Sequence, residues 1–325
     1  ADTATVAAQV SAVLEQFEEL GLVARPSRWE PPAPRTAADP TQDGEMAVTA
    51  PHRVLDRQIR FRSADATLLT AIDDYLGTNH VHEVDEAPAG HPVPTSQLTF
   101  EVNWMPDGEV ALVTDRVDTH DQLGTLLRRL VGVMVDYAST THGCVAIHAG
   151  ALRDPAGQVV LLPAPSGAGK STLTGALIAA GWDYLGDETI GITPDGIALG
   201  FPKRLVLDPI SRDVLEVERT PDRHVDPTEI RADVQRLGGP VGPVTQVVFP
   251  SFQPDARCEM LMLDPYERFD ALLANTLNLA RVGEPGLETL CRLAETVDGY
   301  RLIYVDAHEA AASIHARILR PNPAA

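Results

Sequence analysis

Apolar positions recur along this chain in two periods, and the change from one to the other marks its organisation. In TVAAQVSAVLEQFEELGLVAR, Val6, Val10, Val13, Leu14, Phe17 and Leu20 keep close to a 3.6-residue spacing until Gly21 stops the run. That spacing predicts an amphipathic helix over residues 1–25 whose apolar stripe needs a partner. The proline-rich, polar RPSRWEPPAPRTAADPTQDGE then reads as an extended linker over 26–45. Period-two alternation begins in HRVLDRQIRFRS, a predicted strand, and Ala66 to Leu76 returns to helical spacing. QLTFEVNW and EVALVTDR alternate around Pro106-Asp107-Gly108, the pattern of a hairpin, and Gln122 to Ala138 forms another long helix. Together these predict a small α/β lobe over 46–141.

From GCVAIHAGAL onward the pattern becomes strand, turn, strand, loop, helix, the alternation of an α/β core over 142–325. GQVVLLPA is a short, continuous apolar run, read as a buried strand. Leu173 to Ala180 follows as a helix, and DYLGDE as the next strand with its acids at the carboxyl end. PKRLVL, VTQVVFP and CEMLML are strand-like, and the tail alternates helix, strand (YRLIYVD) and helix (Glu309 to Leu319). The polar, proline-punctuated stretch from Pro209 to Gly242 reads as a mobile lid or substrate loop.

Composition narrows the partners. A formal net charge of −20 and a pI near 4.8 lack the basic footprint that a nucleic-acid backbone requires. No apolar run is long enough to span a bilayer and no signal peptide is visible, so no membrane partner and a cytoplasmic location are expected. Cys144, Cys258 and Cys291 lie far apart with no CxxC pair, as expected of buried free thiols in a reducing compartment.

The chemistry concentrates in LLPAPSGAGKSTLTGALIAAGWDYLGDE, residues 161–188. APSGAGKS matches the Walker A pattern except at its first position, where Ala164 replaces glycine. Gly167 and Gly169 let backbone N–H groups turn inward around phosphate oxygens, with Ser166, Ala168 and Thr172 completing the cradle. Lys170 can reach the β- and γ-phosphates of ATP, and Ser171 can place its hydroxyl on Mg²⁺.

Asp187 and Glu188 follow unusually soon. A strand, a loop and one short helix precede them, so they are expected on the adjacent strand, near the γ-phosphate and its metal. One carboxylate would serve Mg²⁺ and the other would accept the proton of an acceptor hydroxyl, or a single metal acid has an incidental neighbour. His148, in IHAG, suits a buried core position taken alone; its place just before the loop strand aims it at the phosphates, where a neutral imidazole could hydrogen-bond Asp187. His142, His224, His308 and His315 share no metal-ligand spacing and read as surface or structural.

These residues resemble the HPr kinase/phosphorylase family and its relatives, in which a histidine, a P-loop, a helix ending in glycine and paired acids follow in this order. ATP-dependent phosphoenolpyruvate carboxykinases share the distant fold. The resemblance spans roughly Cys144 to Leu319, through FPKRLVLD, VVFPSFQPDA, LLANTLNLA and GYRLIYVD, and is greatest to relatives encoded with peptide-modification systems. It implies a P-loop-containing α/β core with a smaller N-terminal lobe. It also implies an ATP- and Mg²⁺-dependent kinase acting on a hydroxyl, with serine of a peptide or protein as acceptor. By the resemblance Lys170 and Ser171 bind phosphate and metal, Asp187 is the catalytic acid/base, Glu188 its metal-side neighbour, and His148 the partner of that pair. A homo-oligomer is compatible with it. VSAVLEQFEELGLV resembles the last helix of a PqqD-type peptide-binding domain, which points to a delivered peptide.

The chain departs from the HPr enzymes after the paired acids. GFPKRLVLDP stands where they carry an EIRGLG-like glycine run, so HPr as acceptor and reverse phosphorolysis are not carried over. Lys203 and Arg204 in that segment either meet phosphates or an acidic peptide, or are solvated charges at a strand end. Two other functions remain open at this level: a kinase for a sugar, polyol or amino acid, and a nucleotide-binding module with little catalysis. A transporter ATPase lacks support, because no LSGGQ-like segment occurs, as does a GTPase, because no NKxD motif does.

Overall fold

The computed structural model describes residues 46–76, 97–104, 110–113, 117–120, 123–138, 140–141, 143–220 and 223–318. The expected N-terminal helix and linker, the hairpin turn at 106–108 and His142 lie outside them.

The first sheet is built from β1 (Ala47–Val48), β2 (His52–Val54), β3 (Arg57–Ser63), β4 (Gln97–Trp104), β5 (Val110–Val113) and β6 (Val117–His120), with helices α1 (Ala66–Leu76) and α2 (Leu123–Ala138). HRVLDRQIRFRS is two strands rather than one: β2 and β3 pair antiparallel, and Leu55 takes a φ of 56° in the turn between them. Alternation alone cannot reveal that reversal, because both arms keep period two. β3 and β4 run parallel around α1, and β4 pairs antiparallel with β5 as the hairpin pattern predicts. Leu68, Leu69, Ile72, Leu126, Leu130 and Met134 close the core, which continues into Cys144, Ala146, Leu199 and Phe201.

The second sheet holds the glycine-rich loop. Its strands are β7 (Val145–Ile147), β8 (Ala149–Arg153), β9 (Val159–Pro163), β10 (Asp183–Gly186), β11 (Ile190–Ile192), β12 (Ile197–Gly200), β15 (Gly239–Phe252), β16 (Glu259–Met262) and β17 (Asp298–Tyr304). A smaller pair, β13 (Leu205–Val206) and β14 (His224–Val225), lies apart. The helices of this half are α3 (Lys170–Ala179), α4 (Pro209–Val214), α5 (Pro227–Ile230), α6 (Pro265–Ala274), α7 (Leu279–Thr296, broken at Gly283) and α8 (Ala307–Ile318). The strand order is β10-β8-β9-β15-β12-β11-β7, with β17 on β15 and β16 on β17.

Both faces of β9 are covered, which explains why VVLLP is apolar throughout. Val160 and Leu162 face one core with Leu173, Leu177, Trp182 and Ile314, from the side of α3 and α8. Val159 and Leu161 face the other with Leu272, Leu290 and Leu293, from α6 and α7. β9, β15 and β17 run parallel, so their carboxyl ends meet at one edge, the place where open α/β sheets receive ligands. Among the described residues no helix is long and apolar enough to cross a membrane.

One expectation changes here. DYLGDE does not lie on the strand adjacent to β9: β8 intervenes, antiparallel to both β9 and β10. Two antiparallel steps restore direction, so β10 still ends at the same edge as β9 and delivers its acids there. The stretch 209–242, read as a lid or substrate loop, carries two short helices among its described residues. Asp208 and Asp226 cap α4 and α5, each with proline in the first turn, and Arg231 bonds to Trp182 O and Asp183 at 3.1 and 3.4 Å. Helices this short leave no periodicity to read; their caps were the signal.

Candidate active site at the carboxyl edge of the second sheet

β9 ends at Pro163, and the chain turns through Ala164 to Gly169 into α3. Ala164 is buried and has no left-handed φ, so a glycine is not required at that position. Gly167 and Gly169 do take left-handed values, 84° and 85°, which L side chains rarely adopt. At Gly169 a Cβ would also collide with the Tyr304 hydroxyl. That hydroxyl donates to Gly169 O at 3.0 Å, and Phe252 N donates to Ala168 O at 3.1 Å, so β17 and β15 clamp the loop. No side chain caps the start of α3. Its first backbone N–H groups and positive dipole end are thereby offered to an anion.

Lys170, almost fully buried, donates to the backbone carbonyl of Asp187. Burial lowers its pKa against the pull of Asp187. The Asp187 carboxylate, 2% exposed, bonds to Lys203 Nζ at 3.0 Å and receives the Tyr184 hydroxyl at 3.4 Å. Burial alone would raise its pKa; the charges of Lys203 and Lys170 and hydrogen bonds from Lys203 and Ser171 overcome this and lower it. Glu188 sits 2.9 Å from the same ammonium, with its side chain 41% exposed. Lys203 therefore bridges both acids, and although burial opposes its charge, Asp187 and Glu188 raise its pKa.

Sequence reasoning noticed Lys203 without assigning it to the site. FPKRL alternates: Lys203 turns inward to the acids, while Arg204 turns the other way, 5.0 Å over the ring of Tyr75 and 3.8 Å from Asp226. Neither is a solvated strand-end charge. A lysine directly after the apolar pair Phe201-Pro202 was the available signal. Tyr184, Tyr304 and Phe252 carried none beyond ordinary strand patterning.

His148 lies between β7 and β8, where the chain passes from one half of the sheet to the other. Its N–H donates to Asn275 O at 2.8 Å and its carbonyl accepts from Ala164 N at 3.4 Å. Burial first, then Lys170, lowers the imidazole pKa, against Glu188 and Asp187, which favours the neutral ring. It shares this charge cluster, but the Asp187 carboxylate is taken by Lys203, Tyr184 and Ser171 rather than by His148. Thr172 turns from the loop to bond Ser211 of α4 at 2.7 Å, and Ser166 is exposed at the loop tip.

Among the described residues no three His, Cys, Asp or Glu side chains converge on one point. The Ser171 hydroxyl and the Asp187 carboxylate nevertheless give a hard oxygen pair beside an anion cradle. That donor set suits Mg²⁺, which takes its remaining ligands from phosphate and water.

No protein-family model and no curated protein matches the chain. Among solved structures, the Hpr(Ser) kinase/phosphatase from Coxiella burnetii is similar at 13% identity and a TM-score of 0.30, over 54% of this chain and 96% of that one. A likeness this slight implies no function for the chain.

Proposed function

We propose that the chain is an ATP- and Mg²⁺-dependent kinase that transfers the γ-phosphoryl group to a hydroxyl, with serine of a peptide or protein as acceptor. The observation that carries this reading is the tie from Lys170 to Asp187: the loop lysine and the paired acids meet at one sheet edge although β8 separates their strands.

In this reading the N–H groups from Ser166 to Thr172 and the Lys170 ammonium hold the β- and γ-phosphates. Ser171 and Asp187 would hold Mg²⁺, which supplies positive charge against the phosphate oxygens. The acceptor oxygen bonds to the γ-phosphorus as the bond to the β,γ-bridging oxygen breaks, and the acceptor proton passes to a carboxylate. Both acids pair with Lys203, but Asp187 is buried and also bonded to Ser171, whereas the Glu188 side chain is 41% exposed and open to an acceptor. We therefore assign metal organisation to Asp187 and proton acceptance to Glu188, exchanging the roles taken from the family resemblance. His148, with its neutral form favoured, would orient a phosphate oxygen or the acceptor. The core over 142–325 carries this site; the peptide acceptor rests on the sequence resemblance of residues 1–25 and of the core.

One observation favours a second reading, a nucleotide-binding module with little catalysis: Lys203 already pairs with both acids, the metal-side Asp187 and the proton acceptor Glu188. Labelled ATP offered with serine peptides, sugars, polyols and free amino acids decides between these. Label in a serine peptide supports the kinase as stated; label only in a small molecule moves the acceptor class; tight ATP binding without transfer leaves the module.

A further inference from the structure

Beside the loop, at the ends of β15 and β17, two apolar side chains are exposed. Phe252 is 46% exposed and Val305, the residue after β17, is 39% exposed. Strand register sets Phe252 opposite Tyr304, and the two rings make a T-shaped contact at 5.9 Å between centroids. Tyr304 is itself buried and donates to Gly169 O at 3.0 Å, while Phe252 N donates to Ala168 O at 3.1 Å. The backbone of Phe252 is thus tied to the phosphate loop, and its ring packs edge-on against the buried Tyr304.

We propose that Phe252, backed by Tyr304, is the platform on which the base of a bound nucleotide stacks. This deepens the proposed function and rests on its reading of the loop. The phosphates of a nucleotide held in the cradle leave its sugar and base to extend along the sheet edge. A half-open aromatic attached to the loop meets the one flat apolar group that such a ligand carries. Base–aromatic stacking is tolerant of base identity, so the site would distinguish nucleotides from inorganic polyphosphate more sharply than it distinguishes ATP from GTP.

Calorimetry of the full chain with Mg²⁺ and either ATP or inorganic tripolyphosphate tests this. The wild type should bind both, ATP more tightly. Phe252→Ala should weaken ATP by roughly ten- to a hundred-fold and leave tripolyphosphate unchanged, which also certifies an intact loop. Phe252→Trp should keep ATP affinity. Unchanged ATP affinity in Phe252→Ala overturns the platform while leaving the loop reading intact, and so does equal weakening of both ligands. A raised KM for the acceptor with ATP binding unaltered assigns the surface to the acceptor instead and likewise overturns it. A wild type that binds neither ligand removes the nucleotide reading, and the platform with it.

Discussion

The ammonium of Lys203 stands 3.0 Å from the Asp187 carboxylate with both side chains buried, and 2.9 Å from Glu188. A buried ion pair contributes little net stability, but removing one partner strands the other charge. Lys203→Met should therefore cost about 3–5 kcal/mol at neutral pH. In the wild type the folded pKa of Asp187 is lowered, so its contribution is present above the ordinary carboxylate value and lost as pH falls through the folded one. Without Lys203, burial dominates and the folded value rises, so the variant is penalised most where Asp187 would be ionised. Denaturant melts at several pH values should show the gap between variant and wild type narrowing as the medium becomes acidic. A gap independent of pH would contradict the pairing.

The same substitution should move the acidic limb of the transfer rate to higher pH, because Asp187 then needs a higher pH to ionise. A pH–rate profile with an unmoved limb would show that ionised Asp187 is not needed for transfer.

Gly169 and Gly157 share a left-handed φ, 85° and 89°, but differ in surroundings: a Cβ at Gly157 meets nothing within 4 Å, whereas at Gly169 it meets Tyr304 and Phe252. Gly157→Ala should cost about 1–3 kcal/mol from backbone strain alone. Gly169→Ala should cost more and lose ATP affinity as well, and adding Tyr304→Phe should recover part of that difference. Equal melting temperatures for the two alanine variants would mean that the clamp on the loop is slack.

Asn278 fastens β7 beneath His148. Its amide donates to Thr141 O at 3.0 Å and Cys144 O at 2.9 Å and accepts from Ala146 N at 2.9 Å, all buried. Asn278→Ala leaves these groups without a side-chain partner, at about 1–3 kcal/mol for each one left unsatisfied. Thermal unfolding should show a loss larger than that of Asn275→Ala, whose side-chain amide makes one bond, to Ala271 O.

What could be read in advance followed from local rules. The helix over Ala66–Leu76 and the strand–loop–helix around Gly167 and Gly169 are written in spacing and glycine chemistry, and they stand where spacing put them. Strand order is not local. Nothing in DYLGDE says that β8 folds back between it and β9, because an inserted antiparallel strand leaves the acids at the same edge. Lys203 lies sixteen residues from Asp187, and only the fold joins them. Its charge alone left phosphate, acidic peptide and solvent all open; burial beside Tyr184 made it the hub of the acids.

The central claim is that Lys170 and the paired acids serve phosphoryl transfer on a nucleotide held by the glycine-rich loop. Its most direct test follows labelled phosphate from ATP to a serine peptide while ATP affinity is measured on the same preparations. Lys170→Ala should lose both binding and transfer. Asp187→Asn should abolish transfer yet keep metal-free ATP binding, with only the Mg²⁺-dependent part of the affinity reduced. Transfer by the Asp187→Asn protein at the wild-type rate, or ATP affinity undiminished in Lys170→Ala, would contradict the account.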